Sequence, residues 1–226
     1  MKPKVILHNS ISIDGSLSFF EPNMELHYRI AGMFKPDAHL IGSQTVTAGI
    51  ELYGGGIPPE EASDFQKPVR SPALPAWIVV DSRGRLEGLL HTCRRFDLCR
   101  DVIVLVSQRT PKRYLRYLDE RPYKYHCVGT DHVELPKALT ELSTRYHVKT
   151  LLTDTGRVLG NLLLNQGLVD EISLLVHPIV VGKRSYNMFS EIERKLDVTL
   201  TTCKQLEKHY IWLVYCVKNT AASQKY

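Results

Sequence analysis

Three short segments carry the residue types that a phosphorylated ligand requires. Gly42-Ser43-Gln44-Thr45 joins a glycine, which permits close backbone approach, to hydroxyls and the free N–H groups of a helix start. Asp154-Thr155-Gly156-Arg157, continued by Val158 and Leu159, is a second glycine-containing turn that opens a helix. Its N–H groups, helix dipole and Arg157 suit a pyrophosphate. Ser82-Arg83-Gly84-Arg85 sets a hydroxyl beside two guanidinium groups, which suits a phosphate monoester such as the 2′-phosphate of NADP. A fourth segment runs from Asn9 to Gly15, with Asn9, Ser12 and Asp14 alternating with apolar residues. It reads either as a ligand-contacting strand end or as simple turn chemistry.

Other chemistries find less support. The fingerprints G-x-G-x-x-G and G-x-x-x-x-G-K-[ST] are both absent, which excludes an ordinary Rossmann dehydrogenase and a P-loop enzyme. Cys93, Cys99, Cys127, Cys203 and Cys216 form no C-x-x-C pair, so neither a metal site nor a disulfide framework is indicated. They read as reduced and mostly core-packing, with Cys93 and Cys99, in a basic stretch, the candidates for exposure.

The elements that must hold these segments alternate. Strands are predicted over 4–8, 38–42, 77–81, 102–107, 123–128, 150–153 and 171–177. Helices are predicted over 23–34, from Ser43, and over 111–119, 134–146 and 157–166. The strands are apolar runs without polar alternation, which argues for an α/β fold whose largely parallel sheet is covered on both faces, a single three-layer domain. Two late strands, 197–203 and 210–218, joined by the link 204–209, read as an antiparallel hairpin added to the sheet. Residues 1–220 form the expected domain and 221–226 a frayed tail. In such a sheet ligands bind beyond the carboxyl ends of the strands, and the three glycine- and arginine-bearing turns all fall at that edge. Glu51–Ala76, with five prolines and Gly54-Gly55-Gly56, reads as a long loop, either a lid or substrate collar or a dispensable insertion.

Lys and Arg total 29 against 24 Asp and Glu, a formal charge of +5. No basic run interleaved with aromatics accompanies it, so the surplus reads as a modest surface excess, compatible with an enzyme of phosphorylated ligands, in preference to nucleic-acid binding. No apolar stretch approaches the roughly 20 residues of a membrane span, and the N-terminus lacks a full signal sequence. A cytoplasmic protein is expected.

Several of these segments together resemble the riboflavin-pathway pyrimidine reductases: the archaeal and fungal diaminopyrimidine reductases and the reductase half of the bacterial bifunctional deaminase–reductase. Ser12-Ile13-Asp14-Gly15 matches the opening S-x-D-G motif, Pro36 to Thr45 approximates A-D-x-[IL]-x-x-G-x-x-T, and Val79-Val80-Asp81-Ser82 matches V-V-x-D-S. Leu162 to Gly182, through Gly167-Leu168-Val169-Asp170-Glu171, is the most specific match, and the motifs together span nearly the whole chain. The resemblance implies a dihydrofolate-reductase-like fold, a homodimer, NADPH as hydride donor and a small phosphorylated substrate. The reaction implied is reduction of the ring-opened ribosylamine of a pyrimidine 5′-phosphate to the ribitylamine. Its cofactor positions fall on Gly42, Thr45, Ser82, Ser107 and Thr155 through Leu159, with Gly156, Arg157 and Val158 among them; Arg83 joins them from the residue reading. Its substrate positions fall on Asn9, Ser12 and Asp14, and Asp14 is the candidate catalytic residue, orienting substrate or relaying a proton.

Two departures set this chain apart. Asp154-Thr155-Gly156 stands where the family usually has E-G-G, adding a Cβ where that backbone approaches the cofactor. Ile50 to Gly56 stands where the family has D-N-P-x-L on the substrate side. A reductase of another small compound on the same fold, or a catalytically silent nucleotide-binding protein, are the alternatives these departures leave open.

Overall fold

The computed structural model describes residues 2–53 and 56–218. Gly54 and Gly55 of the variant substrate-side segment, and the tail at 221–226, lie outside the described residues. The elements are β1 (Lys4–Ser12), α1 (Met24–Met33), β2 (Ala38–Gly42), α2 (Ser43–Tyr53), β3 (Ala76–Val80), α3 (Leu90–Arg95), β4 (Val102–Val106), α4 (Lys112–Glu120), β5 (Lys124–Cys127), α5 (Leu135–Tyr146), β6 (Thr150–Thr153), α6 (Arg157–Asn165), β7 (Glu171–His177), β8 (Val198–Leu206) and β9 (Tyr210–Val217). The strands form one sheet in the order β5-β4-β3-β2-β6-β1-β7-β9-β8. The described pairings are parallel up to β7, and β9 and β8 then run antiparallel. The expected α/β architecture with a C-terminal hairpin is therefore what the chain adopts.

The chain packs as two compact units, residues 1–3 with 36–151 and residues 4–35 with 152–226. In the first, β3 and β4 are buried on both faces, and Val79, Val104 and Val106 pack with Leu86, Leu90, Tyr114 and Leu118 in one cluster. This is why those strands read as unbroken apolar runs. Asp37 begins β2 by accepting hydrogen bonds from the N–H groups of Lys149 (2.8 Å) and Thr150 (2.9 Å), which fixes where β6 starts. In the second unit, α1 lays Leu26 and Ile30 against Leu175 of β7 and Trp212 and Val214 of β9. Asn23 caps α1 by accepting from the Leu26 N–H. Asp170 does for β7 what Asp37 does for β6: its carboxylate accepts from the Val5 N–H at 2.8 Å, and its carbonyl from the Val217 N–H at 2.9 Å. The Gly167–Glu171 motif thus aligns β1, β7 and β9 and is an instrument of folding.

Four sequence expectations need correction. β1 runs to Ser12 and does not stop at His8, because Asn9, Ser10 and Ser12 each find a polar partner inside the fold. The stretch expected as loop from Glu51 begins inside α2 and contains a 3-10 turn at Ala62–Phe65. It is also anchored: Arg121 pairs with Glu60, Arg95 with Asp64, Arg94 donates to the Asp64 carbonyl, and His91 bonds the Pro58 carbonyl. The basic stretch around Cys93 is therefore internal and includes α3, an element with too few residues to show periodicity. Cys93 and Cys99 are buried, their thiols pushed up to about 12 by desolvation, while Cys127, Cys203 and Cys216 are exposed. Finally, β8 continues through Lys204 to Leu206, and the link shrinks to a tight turn with Glu207 and Lys208 at positive φ.

Candidate active site

In the first unit the strand registers align the carboxyl ends. Gly42 lies opposite Val80, and Val80 opposite Leu105. The residues that follow, Ser43 to Thr45, Asp81 to Arg85 and Ser107, therefore issue from one edge, where an α/β sheet places its ligands. Asp81 shapes the middle turn: its carboxylate accepts from the N–H groups of Arg85 (3.0 Å) and Leu86 (2.9 Å). Gly84 has φ +67° and its Cα faces the Tyr114 ring so closely that a Cβ would stand 2.8 Å from Cγ. Only glycine fits that turn without strain. Arg83 and Arg85 are exposed and form no ion pair among the described residues. Ser82 and Ser107 are engaged as braces. The Ser82 carbonyl accepts from Thr110 Oγ1 (2.8 Å), Ser82 Oγ accepts from the Val133 N–H (3.3 Å), and Ser107 Oγ donates to the Asp131 carbonyl (3.2 Å). Thr45 lies half-buried in the first turn of α2.

In the second unit, Ser12, Asp14 and Gly15 form a lock. Asp14 accepts from Ser12 Oγ (2.7 Å) and from the N–H groups of Val181 (3.0 Å) and Gly182 (2.9 Å). These bonds, that of Ser12 first, hold its carboxyl down to about 2. Gly15, at φ +79°, sits so close to Asn187 that a Cβ would stand 2.7 Å from its side-chain nitrogen. Asn187 in turn donates to the Asp14 carbonyl at 3.1 Å. The S-x-D-G motif and the far end of the Leu162–Gly182 match are therefore two sides of one hydrogen-bonded corner.

The neighbouring α6 begins at Gly156, whose backbone is extended and ordinary for any residue. The first N–H groups of the helix, at Arg157, Val158 and Leu159, have no carbonyl one turn back and form an anion-favouring end. Thr155 is buried, and its methyl lies 3.9 Å from where a Cβ on Gly160 would be, so the side chain points into the helix packing. Asn9, also buried, donates to the Thr155 carbonyl at 3.3 Å and fixes the peptide before the helix. Arg157 is engaged by Glu191 (2.9 Å), Ser190 (3.2 Å) and the Tyr186 ring (4.0 Å), which neutralises much of the charge expected to hold phosphate.

Sequence reasoning missed one polar cluster in this unit. Strand alternation turns Asn9 toward α6 and turns His8 and Ser10 toward α1. There His8 meets Ser173 (3.0 Å) and the His27 carbonyl (3.2 Å), Ser10 meets His27 Nδ1 (3.1 Å), and His27 Nε2 lies 3.8 Å from Asp154. Desolvation, with His27 second, drives His8 down to about 3. The available signal was His8 and Ser10 at strand spacing beside a single histidine in the first helix.

The family model described as the RibD C-terminal domain matches residues 3–212. This chain belongs to that family. Two curated relatives are each a 2,5-diamino-6-ribosylamino-4(3H)-pyrimidinone 5′-phosphate reductase. That of Archaeoglobus fulgidus is 28% identical over 194 residues, 81% of this chain and 84% of the relative. That of Methanothermobacter thermautotrophicus is 26% identical over 193 residues, 81% and 82%. Among solved structures, a pyrimidine reductase-like protein of Corynebacterium diphtheriae superposes with a TM-score of 0.70 at 16% identity, covering 96% of this chain and 92% of that one. The RibD of Acinetobacter baumannii gives 0.68 at 20%, and this chain spans 58% of its length. Two of the motifs that carry the resemblance, Gly167–Glu171 and Ser12–Gly15, are thus the ones that align the strands and close the corner.

Proposed function

We propose that this chain is an NADPH-dependent reductase that converts the ribosylamino side chain of a diaminopyrimidine 5′-phosphate to the ribitylamino form, a step of riboflavin biosynthesis. The observation that carries the reading is the match to named reductases over four-fifths of the chain, with RibD C-terminal motifs along its length. NADPH, when bound, supplies the hydride that adds to the imine carbon of the ring-opened sugar.

The chain's own residues fit the cofactor's anionic groups. Arg83 and Arg85, exposed on a rigid turn and free of carboxylates among the described residues, suit the 2′-phosphate. In the same unit, Gly42 and Thr45 at the start of α2 suit a further phosphate, with Ser82 and Ser107 bracing the loops beside them. Thr155 turns its side chain inward, so the extra Cβ does not project from the helix end. That packing supports a cofactor-binding reading over a silent nucleotide-binding protein. Asp14, triply hydrogen-bonded and ionised at any physiological pH, holds no proton to give; we assign it to positioning the 178–182 corner, with Ser12 and Asn9 ordering the substrate side of β1.

One observation favours a different small substrate on the same fold: α2 continues through Tyr53 where the family has D-N-P-x-L. Fluorescence titration of NADPH and NADH, followed by turnover of the ribosylaminopyrimidine phosphate, tests both readings. We expect NADPH to bind more tightly, and Arg83→Ala to weaken NADPH but not NADH. Equal affinity for the two cofactors refutes the Arg83 assignment. No binding at tens of micromolar, within the usual range for enzyme ligands of about 1 μM to 1 mM, refutes the reductase. Binding without turnover transfers the reading to another substrate.

A further inference from the structure

The hydrogen bonds of the cluster beneath α1 have a fixed direction. Trp212 Nε1 can only donate, and it gives its hydrogen to Ser173 Oγ at 2.9 Å. The His27 carbonyl can only accept, so His8 Nε2, 3.2 Å away, carries a hydrogen. His8 is kept neutral by burial, so its Nδ1 accepts from the Ser173 hydroxyl at 3.0 Å. Both ring nitrogens of His8 are thereby filled by protein partners, and that ring has no edge to offer a ligand. His27 is arranged otherwise. Its Nδ1 is held by Ser10 Oγ, its ring lies 4.4 Å from that of His8 between centroids, and its Nε2 lies 3.8 Å from Asp154 Oδ2, a charge–dipole contact and not a hydrogen bond. The imidazole side chain is 6% exposed and the carboxylate 13%, so the carboxylate is the outer member of the pair. It stands at the carboxyl end of β6, immediately before the peptide that Asn9 fixes.

We infer that His27 is a positioning residue for the reduction, orienting the Asp154 carboxylate through its Nε2 edge toward the positively charged nitrogen of the imine. The inference rests on the reductase reading. In the step, hydride adds to the carbon of the protonated imine and the C=N π pair becomes the lone pair of the amine nitrogen. NADPH is oxidised to NADP⁺, the imine proton stays on nitrogen, and neither His27 nor Asp154 gives one up. The carboxylate stabilises the cationic imine, the form that accepts hydride, and His27 keeps it aimed.

Two substitutions in the full-length chain separate this role from packing. His27→Asn leaves an amide for Ser10 and removes the edge facing Asp154. His27→Gln places an amide nitrogen where Nε2 stands. We expect His27→Asn to lower kcat about tenfold, the equivalent of about 1.4 kcal/mol, with KM for both substrates little changed, and His27→Gln to recover most of that loss. Full activity of His27→Asn overturns the inference. So does a loss that His27→Gln fails to recover and that follows the melting temperature of both variants. Absence of NADPH binding by the wild type defeats the reductase reading itself, binding without turnover moves it to another substrate, and in either case the pair is judged without activity. The ¹⁵N resonance of His27 Nε2 must shift in Asp154→Asn, and a resonance that does not move overturns the contact.

Discussion

His8 lies wholly buried under α1, and its imidazole titrates near 3 in the folded chain against 6.5 for a solvated histidine. As pH falls the unfolded chain therefore takes up the proton first, and the folded form does not follow until pH 3. The sign is that of a depressed group: the stability is present above 6.5 and is lost progressively between 6.5 and 3. At pH 5 the folded ring is neutral whether it titrates at 3 or a unit higher, so the unfolded value sets the magnitude. The unfolded ring is then about 1.5 units below its pKa, which at about 1.36 kcal/mol per unit gives a loss of about 2 kcal/mol between pH 7 and pH 5. For a chain of this size that is about 4–8 °C in Tm. The assay is urea denaturation at pH 7, 6 and 5, for the wild type and for His8→Gln, whose amide can donate to the His27 carbonyl but does not titrate. His177, also lowered by burial, contributes to both proteins and cancels in the difference. We expect the wild type to lose about 2 kcal/mol more than the variant across this range. Parallel pH dependences would refute the reasoning that His8 is buried neutral.

Two further outcomes follow from the turns. Gly84→Ala combines φ +67° with a Cβ 2.8 Å from the buried Tyr114 ring, and should cost about 2 kcal/mol or more in urea denaturation; a loss under about 0.5 kcal/mol would contradict that geometry. Asp14→Asn should abolish the part of the wild-type acid transition between 3.8 and about 2, since a carboxyl held low contributes stability above its unfolded value and loses it as pH falls through the folded one. The variant's stability curve in that window, compared with the wild type's, decides it.

How far the sequence alone reaches can be judged element by element. Ala38–Gly42, Thr150–Thr153 and Glu171–His177 were legible to the residue, because a buried parallel strand is an apolar run with sharp polar ends. The common edge from which the Gly42 and Ser82 turns issue was legible too, since it follows from parallel strands ending in register. The family was legible from Gly167–Glu171, although that motif turns out to align strands. What sequence reading misplaced were polar residues whose partners lie far along the chain. Asp14 looked like a free acid because Val181 and Gly182 are 167 and 168 residues away. Arg94, Arg95 and Arg121 carry no sign of their partners in the sequence, because the acids and carbonyls that hold them belong to a segment that reads as loop. His8, Ser10, His27 and Asp154 looked like unrelated residues until β1, α1 and the end of β6 brought them together. An apolar side chain needs only to be hidden, so its period along the chain reveals its place. A polar side chain needs a particular partner at a particular distance, and only the tertiary structure says which one it has.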